Sequence, residues 1–148
     1  MIRRQRRPYM TLILVFLILI LFIFLLSPSE AKQAKRVVDT FYQYEQDAQF
    51  SSSWQLLHSS VQEQFSQSSY IQDRAHVFMG HFGSETFDYS LNSPKKISNY
   101  SLTNHPEETV NGYKIEVEQN YDSKYGLLKI TQTVIVLKEN NTWKLLWK

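Results

Sequence analysis

Residues Tyr9 to Leu26 carry no charged side chain and consist almost wholly of Leu, Ile, Phe and Val. This run constrains the chain more than any other feature. A lone apolar segment satisfies its backbone hydrogen bonds in hydrocarbon only as a helix. Eighteen residues at 1.5 Å each give roughly 27 Å, near the thickness of a bilayer core. The spacing therefore predicts a transmembrane helix over 9–26, with Tyr9 at one interface and Pro28 just past the other. Arg3, Arg4, Arg6 and Arg7 flank its start, and nothing comparable flanks its end. The positive-inside rule then puts residues 1–8 in the cytoplasm as a basic tail, 27–30 as a short linker, and 31–148 outside the cell membrane. A cleavable signal is the rival reading, with Ser29 and Ala31 as a −3/−1 pair, but the apolar stretch exceeds the usual 7–15 residues of a signal core.

Without those four arginines, twelve Lys and Arg face fourteen Asp and Glu, so the remainder nets to −2. Its cations are interspersed with carboxylates and form no basic stripe, which argues against a nucleic-acid partner. The chain has no cysteine. Disulfides, thiolate metal sites and a lipidated cysteine are thereby excluded. About 115 residues suffice for one independently folding domain.

From Glu30 the pattern turns amphipathic. Ala34, Val37, Val38, Phe41, Glu45 and Ala48 recur at three-and-four spacing, predicting a helix over 30–49. Ser51 to Ser53 are placed to cap a second helix bearing Trp54, Leu57, Val61 and Phe65. Ser69 and Gln72 form a capping-box pattern for a third, with Ile71, Ala75, Phe78, Met79 and Phe82 as its stripe and Gly80 and Gly83 at its end.

Beyond Gly83 the period becomes two. Phe87, Tyr89 and Leu91 alternate with polar residues, and a looser run covers 97–102. Asn111-Gly112 reads as a hairpin turn. Tyr113, Ile115, Val117 and Tyr121 then share one strand face, opposite Lys114, Glu116, Glu118 and Asn120. A turn at 122–126 leads to a strand over 127–137 that is apolar on both faces. Glu139-Asn140-Asn141 turns into a final strand with Trp143, Leu145 and Trp147. Three helices followed by an antiparallel meander predict a segregated α+β domain.

Three passages carry a resemblance: the opening helix with Val37-Val38 and Phe41-Tyr42, the stretch Trp54-x-x-Leu57…Phe65…Tyr70-Ile71, and the closing Thr142-Trp143-Lys144-Leu145-Leu146-Trp147. Together they resemble the NTF2-like superfamily, a cone of curved antiparallel sheet closed by about three helices. They resemble membrane-anchored extracytoplasmic bacterial members, such as the small domain preceding transpeptidases. The likeness covers nearly all of 30–148, and its motifs, short and apolar, imply packing rather than chemistry. Some NTF2-like enzymes, ketosteroid isomerase among them, place an acid with a proton donor in the cone. Asp73, His76 and Asp88 are the candidate catalytic residues here, with His81 and Tyr89 nearby, but solvated surface positions explain them as well. His58, His76, His81 and His105 form no H-x-x-x-H pair, and the four glycines form no phosphate cradle. No metal or cofactor is expected.

The sequence thus predicts a membrane-anchored, non-enzymatic extracytoplasmic accessory or binding module of the bacterial cell envelope. Its expected partners are lipid, through the N-terminal helix, and a protein in the envelope. Two alternatives are a VirB8-like component of a conjugation or secretion assembly, and a small-molecule binder or enzyme using the cone.

Overall fold

Ser29 accepts a hydrogen bond from the Lys32 backbone N–H and so starts a helix where the apolar period begins. In the computed structural model, which describes residues 8–26, 28–102 and 105–147, this helix is the second of five. The α-helices are α1 (Pro8–Leu26), α2 (Glu30–Gln46), α3 (Phe50–Gln55), α4 (Ser59–Gln62) and α5 (Gln67–Ala75), and α5 runs on into a π-helical segment, His76–Phe82. Five strands follow: β1 (Asp88–Leu91), β2 (Lys95–Leu102), β3 (His105–Ser123), β4 (Gly126–Glu139) and β5 (Thr142–Trp147). The fold is α+β.

The first helix corrects an expectation. No helix among the described residues is long and apolar enough to cross a membrane, which overturns the expected transmembrane helix over 9–26. A helix does form at Pro8–Leu26, but its described side chains run only from Tyr9 to Phe22. The large apolar side chains along this stretch are all exposed, the least so being Ile20 at 47%. Arg3, Arg4, Arg6 and Arg7 lie outside the described residues.

Strand β3 is the spine of the sheet. Along one side it pairs antiparallel with β4, from Gly112↔Leu137 to Ser123↔Gly126. Its other side takes β1 and β2 end to end, with Leu91 opposite Val117 and Lys95 opposite Lys114. Strand β5 pairs with the second half of β4 through a two-residue turn at Asn140 and Asn141, both at positive φ (48° and 64°). That is the geometry an Asn-rich primed turn provides. The outer edge of β5 is covered in turn by the α3–α4 connection. His58 donates its backbone N–H to the Leu145 carbonyl, and the Leu145 N–H donates to Leu56. Covering an edge in this way removes a row of unpaired backbone groups.

The helices cover one face only. From α2, Ala34, Val38, Phe41 and Tyr42 meet Tyr113, Ile115, Val117 and Tyr121 of β3, Val134 and Val136 of β4, and Leu145 of β5. The opposite face holds a smaller cluster of Leu102, Ile135 and Leu137, which accounts for the two-sided apolar character of 127–137.

Several local signals are used differently from their plain reading. The second helix begins at Phe50 rather than after the serines and breaks at Leu56 to His58. The third is capped by Ser66, which accepts from the Ser69 N–H. Asn111-Gly112 is not a turn at all but lies inside β3. A Cβ at Gly112 would fall 2.3 Å from the Val136 carbonyl oxygen and 2.6 Å from Leu137 Cδ2. Glycine is therefore needed for close strand approach. The Asn111 side chain accepts from the Asn99 N–H, steadying a bulge at which Asn99 has φ 55°.

Gly112→Ala is expected to cost about 2 kcal/mol, as overpacking a filled site does. Urea unfolding of the full chain in neutral detergent, followed by tryptophan fluorescence, measures it.

Candidate functional site

Glu45 sits on the buried stripe of α2, and its side chain has no exposed surface. An unpaired carboxylate there would be very costly, and the fold surrounds it with donors. Glu45 Oε1 accepts from Ser53 Oγ of α3 and, at 2.6 Å, from the Tyr70 hydroxyl of α5. Arg74, one turn further along α5, donates Nε to Glu45 Oε2 and ion-pairs with the same oxygen through Nη2. Trp147 closes the group from β5. Its ring stacks on Tyr70 at 5.7 Å, lies under the Arg74 guanidinium at 5.5 Å, and meets Phe41 edge-on at 5.6 Å.

Two further phenols extend this polar seam across the sheet. Tyr42 donates to Gln132 Oε1 at 3.0 Å and Tyr121 to Gln119 Oε1 at 2.6 Å. Burial raises the phenol pKa of Tyr42, Tyr70, Tyr89 and Tyr121 well above the ordinary value. At Tyr70 the negative Glu45 adds to burial, and at Tyr89 the hydrogen bond to Asp39 does. With Phe87 tilted against Tyr121 at 4.9 Å, aromatic side chains fill the space between helices and sheet. Both Glu45 oxygens are occupied by protein donors, so this carboxylate is arranged to hold elements together rather than to exchange a proton with a ligand.

The residues proposed from sequence lie elsewhere. Asp73 on α5, His76 at the start of the π-helical segment and Asp88 at the start of β1 are all exposed. No hydrogen bond or ion pair joins them among the described residues. His76 instead meets His81, with ring centroids 4.5 Å apart. The wider π-helical turn brings together side chains five positions apart, which α-helical spacing would separate. His58 is buried and caps α4, its Nδ1 accepting from the Ser60 N–H. The His105 side chain lies outside the described residues. Among those described, no three His, Asp or Glu come close enough to hold a metal ion.

What the periodicity did not single out is an open cleft of about 540 Å³ between α2 and β1. Lys32, Lys35, Arg36 and Asp39 line it from α2, Tyr89 and Leu91 from β1. Lys35 Nζ donates to the Leu91 carbonyl at 3.1 Å, and the Tyr89 hydroxyl donates to Asp39 Oδ1 at 2.8 Å. Two features of the sequence marked it: three cations within five residues, and an adjoining strand whose alternation brings Tyr89 and Leu91 to the same side.

No family model matches this chain, and no curated protein matches it.

Glu45→Gln keeps the shape but removes the charge that Arg74 needs, and is expected to cost about 3 kcal/mol in urea unfolding. Asp73→Asn, His76→Ala and Asp88→Asn, all exposed, are each expected to stay within about 0.5 kcal/mol of the parent. The raised phenols give stability that is complete below the ordinary value of 10.0. Above it the unfolded chain loses phenol protons that the folded chain keeps. Stability therefore falls as pH climbs toward the raised folded-state values, by up to about 1.4 kcal/mol per pH unit for a phenol as buried as Tyr42. A pH titration of tyrosinate absorbance is expected to show these four phenols ionising together with loss of the near-ultraviolet circular dichroism signal.

Proposed function

We propose that this chain is a non-enzymatic accessory or binding module of the bacterial cell envelope, working at its extracytoplasmic face and attached to lipid through α1. The observation that carries the reading is the filled interior. A sheet covered by helices is a common frame for a ligand cavity, and here Phe41, Tyr42, Tyr70, Phe87, Tyr121 and Trp147 occupy that space. The hydroxyls of Tyr42, Tyr70 and Tyr121 bond to Gln132, Glu45 and Gln119, and no hydrogen bond or ion pair joins the exposed Asp73, His76 and Asp88 among the described residues. Recognition by such a domain falls to its surface.

The order of helices and then antiparallel strands, with the helices on one face, supports an NTF2-like assignment for 30–147. Attachment to lipid is supported by the exposed apolar side chains from Tyr9 to Phe22, a contiguous patch that calls for an apolar cover. The protein partner belonging to this reading is another envelope component.

Fractionation of bacterial cells making the tagged full chain is expected to leave it with membranes through a high-salt wash and to release it with detergent. Chemical crosslinking on intact cells followed by detergent pull-down is expected to recover the same protein partner repeatedly. Release by salt alone, or a domain that protease reaches only after the inner membrane is opened, would overturn the reading.

A further inference from the structure

Helix α2 breaks a local rule at its start. Lys32 and Lys35 are three residues apart, Lys32 and Arg36 four apart, so three like charges share one helix face. Such pairs repel and weaken a helix unless something compensates them. Lys32, Lys35 and Arg36 have no ion pair among the described residues, although Lys138 is bound by Glu30, Lys129 by Glu118 and Arg74 by Glu45. The three line one cleft, and the domain around them carries net negative charge. The amino-terminal end of the α2 dipole adds positive potential there.

The position of the cleft selects the kind of anion. Residue 32 is six positions beyond the end of α1, whose described side chains form a continuous apolar surface. If α1 is seated in lipid, the first turns of α2 lie at headgroup depth. We infer that the cleft between α2 and β1 receives the phosphate of an anionic phospholipid headgroup, with Lys32, Lys35 and Arg36 as its cations. Lys35 is steadied by the Leu91 carbonyl. Asp39, engaged by the Tyr89 hydroxyl, bounds the cleft on its far side. This inference rests on the lipid attachment proposed above and adds a headgroup preference to it.

The test is vesicle flotation of the full chain diluted out of detergent. One set of vesicles is phosphatidylcholine alone, the other phosphatidylcholine with a third of phosphatidylglycerol. Flotation with the neutral vesicles tests the attachment through α1; the ratio between the two sets tests the cleft. Basic residues near a membrane surface contribute roughly fivefold each at low salt. The Lys32→Gln/Lys35→Gln/Arg36→Gln variant is therefore expected to lose about 100-fold of the anionic preference while still floating with neutral vesicles. Asp39→Asn, which keeps an acceptor for Tyr89 and removes a negative charge, is expected to raise the preference several-fold. Thermal unfolding of each variant confirms that the domain is intact.

A preference that survives the triple substitution would belong to the amino-terminal arginines and would overturn the assignment. Abolition by millimolar glycerol phosphate would overturn it in favour of a soluble phosphate ligand, and displacement by an acidic peptide would overturn it in favour of a protein. Flotation with neutral vesicles but no anionic preference in the parent chain would leave the attachment standing and remove the cleft.

Discussion

A single carboxylate with no exposed surface organises the helical layer. Glu45 belongs to α2, its hydroxyl donors to α3 and α5, and its guanidinium partner to α5, so one group ties three helices together. Trp147 of β5 rests against the same Arg74 and Tyr70 and extends the tie to the sheet. Replacing such a cluster with apolar residues of similar volume need not weaken a fold, whereas removing one partner does. Its effect here is on arrangement. Short helices such as α3 and α4 could not hold a unique position through their few apolar contacts alone.

The same cluster bears on what the domain can do. A hydrogen-bonded carboxylate inside a helix-and-sheet fold is the kind of group an enzyme uses, but only when one oxygen is left for substrate and a cavity leads to it. Glu45 has neither. Its neighbours are phenols held neutral by burial, together with aromatic rings in edge-on and stacked contact. Lys32, Lys35 and Arg36, which have no ion pair among the described residues, line the cleft outside this core on the first turns of α2.

Much of this was legible in the chain. The stripe containing Ala34, Val38, Phe41 and Glu45 placed the carboxylate on the buried face of α2, and alternation placed Tyr113, Ile115, Val117 and Tyr121 on one face of β3. The closing turn at Asn140 and Asn141 followed from residue type. Where reading by residue type failed, a distant partner had redefined a local signal. Ser53 looks like a cap yet turns inward to Glu45, eight residues back. Gly112 looks like a turn yet makes room for the Val136 carbonyl, twenty-four residues on. The fivefold spacing of His76 and His81 carried no meaning until the helix widened into a π turn.

The sequence by itself determined the periods, and with them the order of helices and strands, the inward faces and the apolar character of 9–26. These follow from backbone geometry, which repeats every 3.6 or 2 residues whatever lies elsewhere in the chain. Only the tertiary structure decided which groups meet across 25 or 90 residues: Tyr70 with Glu45, Tyr42 with Gln132, the cations of α2 with the edge of β1. Such pairings are chosen by packing, because a buried polar atom must find whichever partner the folded chain brings within reach.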